Sequence, residues 1–311
     1  MPRTLPIAFS PPVSNTHHLA KVSAYRASFR AIGLTTAAML CFAGNSILCR
    51  LALAARLIDA ATFTLIRVVS AAAILGLVVW LQQRRLPRPM QISPLSAAAL
   101  FAYLVFFSFA YMRLDAGSGA LILIGGVQLT MFSIAFWEGE RFSPSQWAGL
   151  AVALFGFCYL VLPGVTAAPD PFGAALMTTS GMAWGCFSLL ARGTRDPVAE
   201  NASNFFWCLF PALIVSLFDV GKFAAAPTGL ILAAISGAIA TGLGYIVWYL
   251  ALRELPATHA AIVQLSMPVL VALAGTVFLS EPLTARLLTA SATMLGGIAL
   301  VLSQRAERST S

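Results

Sequence analysis

The chain has 311 residues, 59% of them hydrophobic and 10% charged, with a mean hydropathy of +0.86 and a formal charge of +8. A soluble domain carries about 25% charged residues, so this sequence lacks the polar surface that water requires and reads as a bilayer protein. Its Lys and Arg residues are scattered between apolar runs rather than gathered on one face, which excludes nucleic acid and leaves the lipid bilayer as the main partner.

In chain order, residues 1–29 form a polar, cytoplasmic tail that leads into a basic cluster of Lys21, Arg26 and Arg30. The apolar run after it is too long for a signal peptide and reads as a retained first span. An apolar helix needs about 20 residues to cross roughly 30 Å of hydrocarbon. Ten runs qualify: 30–53, 58–81, 94–113, 117–137, 144–163, 172–191, 199–219, 227–251, 256–280 and 284–303. No stretch repeats a period of two over segments of about ten residues, so helices are expected rather than a barrel. The fold class is therefore an all-α integral membrane protein with ten transmembrane helices, closed by a short tail at 305–311. Five cysteines (Cys41, Cys49, Cys158, Cys186, Cys208) lie within apolar runs without a CxxC pair, and read as small buried hydrophobes. No metal or cofactor motif stands out.

Polar and aromatic residues within these runs are the candidates for function. The first span carries Asn45-Ser46 at its middle, where an amide can meet a neighbouring helix or a substrate carboxylate. The second carries Arg67 near mid-depth with no Asp or Glu at that level, and a structural role tying down backbone carbonyls is favoured over a substrate role. Tyr103, Phe107 and Tyr111 recur at four-residue spacing on one face of the third span. Tyr111, near the end, is expected in the interfacial aromatic belt. Gln128 lies in the fourth span, Trp184 in the sixth, and Tyr245 and Trp248 in the eighth. Rings lining a cavity can stack on a planar side chain or hold an ammonium. In the ninth span Pro268 deprives the carbonyl of Gln264 of its helical partner, leaving a free acceptor and a side-chain amide at one depth. Glu140 and Glu281 end their spans and are expected to be structural partners of arginines; His259 reads as a satisfied polar residue.

Orientation follows from charge asymmetry. With the N-terminus inside, thirteen of the nineteen Lys and Arg fall on the cytoplasmic side and five outside, with Arg67 left in the membrane; both termini are cytoplasmic. Shifting the sequence by 141 residues superposes Gly44 on Gly185, Ala110 on Ala251, Ala120 on Ala261, Glu140 on Glu281 and Gly156 on Gly297 without a gap. Residues 30–163 and 172–304 are thus two repeats of five spans, the second inserted upside down because five is odd. Inverted repeats are the architecture of secondary transporters, with the site near mid-membrane at the repeat interface. In that register Gly125-Gly126 meet Ser266-Met267, one step from Pro268, so helix interruptions are expected at matching positions in both halves.

"AGNSIL" in the first span and "LSMPVLVALAGTVFLSEPLT" closing the ninth resemble the drug/metabolite transporter superfamily, in its ten-helix EamA-type branch. The likeness covers about residues 30–304 and is similar in kind to bacterial exporters of aromatic and other amino acids. It implies export from the cytoplasm across the bacterial inner membrane. Many members carry proline where Val127-Gln128 stand here, so the fourth-span kink is expected to come from Gly125-Gly126. All Asp and Glu fall at span ends or in loops, which points to a carrier moving substrate down its own gradient.

The expected substrate-binding residues are Asn45, Tyr103, Phe107, Gln128, Trp184, Tyr245, Trp248 and Gln264, with Gly125, Gly126 and Pro268 as kinks and Arg67, Glu140 and Glu281 as structural residues. A carrier of nucleotide sugars would want several cations in the cavity, and only Arg67 is available. A nonselective channel is a weaker alternative. An intramembrane hydrolase using Ser118 and His259 is excluded, because about 30 Å separates the span ends on which they sit. Oligomeric state is left open, a monomer included.

Overall fold

The computed structural model describes residues 14–84, 94–139, 142–162, 168–191, 194–218, 225–255, 260 and 263–310, and Glu140 and His259 lie outside them. The helices are α1 (Ser14–Ala54), α2 (Ala60–Gln83), α3 (Pro94–Tyr111), α4 (Ala116–Trp137), α5 (Pro144–Val161), α6 (Pro171–Leu190), α7 (Pro197–Phe218), α8 (Pro227–Ile235), α9 (Gly244–Glu254), α10 (Ser266–Leu279) and α11 (Ala285–Thr310). A π-helical stretch, Ser236–Leu243, joins α8 to α9 without a turn. The sole pairing outside helices among the described residues is an isolated bridge between Ile58 and Ala225.

Loop chemistry sets the helix starts. Asp59 and Asp170 accept from the amides of Thr62 and Gly173, each at 2.7 Å, satisfying donors that the first turn leaves orphaned. Ser143 and Gln146 form a reciprocal capping box with Pro144 in the first turn. At the other end of α5, Arg286 donates to the carbonyls of Tyr159 at 2.7 Å and Leu160 at 3.2 Å, a cation closing the negative end of a helix.

Among the described residues, eight stretches are long and apolar enough to cross a bilayer: Phe29–Ala54, α2, α3, α4, α5, α7, Pro227–Glu254 and Ala285–Leu302. The ten expected spans differ from these at two places. α6 carries Thr178-Thr179-Ser180-Gly181, which lowers its hydropathy, and α10 has 14 described residues. The outward surface is itself apolar, with Phe155, Phe210, Phe218, Val277 and Phe278 exposed. α1 begins at Ser14, so helix reaches well into the segment read as a tail.

Glycines bring the helices together. A Cβ on Gly181 of α6 would overlap the carbonyl oxygen of Leu123 and stand 3.0 Å from the Cα of Gly126, so α4 and α6 touch through backbone. α5 and α11 meet likewise: a Cβ on Gly149 would lie 2.8 Å from the carbonyl of Gly297, and one on Gly156 2.8 Å from the amide of Met294. These small-residue faces pack helices within the chain.

Three expectations change. α4 runs unbroken from Ala116 to Trp137, so no interruption occurs at Gly125-Gly126. Those glycines instead admit close neighbours: a Cβ on Gly126 would stand 2.5 Å from the carbonyl of Thr178, and one on Gly125 would strike the ring of Phe157. Tyr111 is fully buried rather than interfacial. Its ring stands edge-on to Phe107 at 4.7 Å and its hydroxyl donates to the carbonyl of Ala116 at 3.4 Å. Cys49 and Cys208 are buried, but Cys158 is exposed; all five thiols are free.

Candidate functional site

The bundle encloses a cavity in two steps. An outer vestibule of about 710 Å³ opens between the C-terminal ends of α4, α6 and α9. Glu138, Arg195 and Arg253 line its mouth, and Gln128, Trp184, Tyr245, Trp248 and Gln264 lie along it. Beyond Trp184, Tyr245 and Gln264, which border both spaces, lies an inner chamber of about 50 Å³ bounded by Asn45, Arg67, Tyr103, Phe107 and Thr241. All eight side chains expected to bind substrate therefore line one step or the other. Gly125, Gly126 and Pro268 line neither.

Aromatic packing forms the wall between the steps. Trp184 stacks at 4.9 Å from Tyr103 and 5.3 Å from Tyr245, while Phe42 stands edge-on to both Tyr245 and Trp248 at 5.9 Å. Tyr103 continues to Phe107 at 5.4 Å, so rings run in a file from vestibule to chamber. These tilted contacts favour the ring quadrupoles and leave faces available to a planar guest.

The floor is polar and depends on the π-helical stretch. Ser236 donates to Asn45 Oδ1 at 2.8 Å, and Thr241 reaches the same oxygen at 3.5 Å. Thr241 Oγ1 also accepts from Arg67 Nε at 3.2 Å, while Arg67 Nη2 donates to the hydroxyl of Tyr103 at 3.2 Å. The guanidinium lies over the rings of Phe107, at 5.0 Å, and Tyr103, at 5.6 Å. Gly237 permits this: a Cβ there would collide with the carbonyl of Arg67 and with Ser70 Oγ. π-turns recur at functional sites because the extra residue redirects side chains without ending the helix.

The ninth span is interrupted by a turn at Leu265, three residues before its proline. Leu265 forms a turn, α10 begins at Ser266, and Pro268 sits in its first turn, where no backbone donor is needed. Ser266 Oγ donates to the carbonyl of Val263 at 2.7 Å, and Gln264, just before the break, faces both steps of the cavity.

The opposite end of the bundle is tied shut. Arg50, near the end of α1, donates through Nε to Glu281 at 2.9 Å, through Nη2 to Asp115 at 3.0 Å and through Nη1 to the carbonyl of Tyr111 at 3.1 Å. The second oxygen of Glu281 accepts from the amide of Ala116 at 2.7 Å. One arginine thus joins α1, the α3–α4 turn and the end of α10. Asp115 precedes α4 and Glu138 follows it, so this knot and the vestibule mouth lie a full helix apart, about 33 Å at 1.5 Å per residue.

A family model described as the EamA-like transporter family matches residues 29–162 and again 171–303. The chain belongs to the EamA-like transporter family. An uncharacterized protein of Pseudomonas aeruginosa is 48% identical over 280 residues, 90% of this chain and 96% of its own. An uncharacterized transporter of Archaeoglobus fulgidus is 26% identical over 209 residues, 65% of this chain and 74% of its own. A solved crystal structure matches in fold with a TM-score of 0.58 at 21% identity, covering 89% of this chain and 98% of that one.

Several residues of this EamA-like cavity escaped the sequence reading. Ser236 and Thr241 lie in "SGAIATGLG", and serines and threonines in apolar helices usually bond back to their own turn. The density of small and hydroxyl residues there was the available signal. Arg50 and Asp115 were not singled out; their joint meeting with Glu281 depends on tertiary structure. Arg67, read as structural, lines the inner chamber of this transporter.

Proposed function

We propose that this EamA-like transporter exports amino acids, aromatic and others, from the cytoplasm across the bacterial inner membrane by alternating access. The carrying observation is a two-step cavity open at one end and knotted shut at the other by Arg50, Asp115 and Glu281. With the orientation drawn from the Lys and Arg distribution, the open end faces the cytoplasm, where an exporter loads. The rings of Trp184, Tyr245 and Trp248 offer faces to a planar side chain, and Gln128 and Gln264 offer amides to a zwitterion. Among the described residues, those buried include no Asp or Glu, which supports transport down the substrate gradient without proton coupling.

Counterflow of labelled amino acids in proteoliposomes tests this reading. Saturable exchange of phenylalanine is expected, unaffected by an imposed proton gradient; non-saturating flux would identify a channel instead. Gln264→Ala and Trp248→Ala should each lower exchange about tenfold at unchanged expression, the loss expected for one hydrogen-bonding or stacking contact. Wild-type rates in both variants would remove the vestibule from the transport path.

A further inference from the structure

Arg67 is a buried cation with an unused donor. Its side chain has no exposed surface, two of its nitrogens are bonded to Thr241 and Tyr103, and Nη1 has no partner among the described residues. The hydroxyl of Tyr245, 4% exposed and beside that of Tyr103, makes no well-formed hydrogen bond among the described residues, and both Arg67 and Tyr245 border the inner chamber. Among the described residues, neither chamber nor vestibule presents a carboxylate nearer than Glu138 at the mouth, and the bonds to Arg67 come from neutral hydroxyls. A buried charge in this state carries a desolvation penalty that hydroxyls and ring faces repay only in part. Removing an anion from water into such a place is favourable only if it meets an unspent donor and an uncompensated charge, and both are present.

Size narrows the guest. A chamber of about 50 Å³ has room for a few waters, at about 10–15 Å³ of such volume each, and so for a small polar head. A whole aromatic amino acid does not fit, but its carboxylate does. Trp184, Tyr245 and Gln264 stand where chamber and vestibule meet, so an entering head would leave its side chain among the vestibule rings.

We propose that the inner chamber is a carboxylate receptor in which Arg67 Nη1 and the hydroxyl of Tyr245 bind the substrate's carboxylate, making the acid group, rather than the ammonium, the obligatory part of the substrate. The inference rests on the amino-acid reading above and sharpens it to arylalkyl carboxylates, with or without an amino group. Arginine suits the task because its planar fork matches a carboxylate and already spends two of its nitrogens on orienting partners.

Three compounds that share a phenylethyl frame decide the matter: phenylalanine, 3-phenylpropionate and 2-phenylethylamine, each competing against labelled phenylalanine in proteoliposome counterflow. On the wild-type protein, 3-phenylpropionate should compete within about threefold of phenylalanine, and 2-phenylethylamine at least tenfold more weakly, the difference expected for a charge-assisted hydrogen bond. Arg67→Gln should erase the preference for acid over amine, and Arg67→Lys should restore part of it. Equal competition by the amine and phenylalanine on the wild-type protein overturns the receptor, whatever the variants do. If labelled phenylalanine shows no counterflow, the amino-acid reading fails. The receptor is then judged on direct binding of 3-phenylpropionate and 2-phenylethylamine, read by quenching of tryptophan fluorescence. Acid binding that outstrips amine binding at least tenfold upholds it, and any smaller difference overturns it.

Discussion

Arg50→Ala should open the sealed end of the bundle. Arg50 and Glu281 are 16% and 12% exposed, so their pairing is shielded from solvent, whereas Asp115 at 56% adds little. Deleting the arginine removes donors from the Glu281 carboxylate and the Tyr111 carbonyl at once. At about 2 kcal/mol for charged hydrogen bonds of this kind, the ratio of open to closed should rise about thirtyfold. The chain carries its own reporter: Cys49, the preceding residue, has no exposed surface. A membrane-impermeant maleimide should leave Cys49 unmodified in the wild-type protein and label it at least tenfold faster in Arg50→Ala, scored by peptide mass. Equal protection in both would show that something else holds that end shut.

Gly181→Ala should prevent close packing of the helices that carry Trp184 and Gln128. The added methyl would meet the backbone carbonyl of Leu123, and backbone cannot rotate away as a side chain can. Parting two packed helices to admit a methyl costs about 1–3 kcal/mol or more. A lowered melting temperature in detergent and a loss of exchange activity are expected together. Gly44→Ala is the matched control, since nothing lies within 4 Å of a Cβ there. It should melt as the wild type does. Indistinguishable melting of the two variants would contradict the backbone contact between α4 and α6.

The sequence carried more about depth than about facing. Hydropathy located the apolar stretches, and the residues expected to bind substrate all border the cavity. Facing was harder. Tyr111 lies near a span end, where aromatics often form a belt, yet it turns inward because Arg50 holds its carbonyl and Phe107 its ring. Gly125-Gly126 suggested a kink because glycine weakens helices, but two adjacent glycines serve equally well as a flat place for neighbours to approach. Arg67 could be placed at mid-depth without a counter-charge; that one of its nitrogens is unpartnered depends on where Thr241 and Tyr103 come to rest. Nor could the π-helical stretch be foreseen, since the same residues form α-turns elsewhere; it is where Gly237 packs so closely on α2 that a Cβ would not fit.

That widened stretch also ties the geometry of one wall to a count of residues. Each residue of an α-helix turns the chain by about 100°. Shortening Ser236–Leu243 by a single position, even one whose side chain faces lipid such as Ile239, would let the stretch close to ordinary α-turns, leaving Tyr245 and Trp248 facing as they do but turning Ser236 and Thr241 relative to one another and to Asn45. Length there is as much a part of the polar floor as any hydroxyl, and a deletion that removes no contact would still dismantle it.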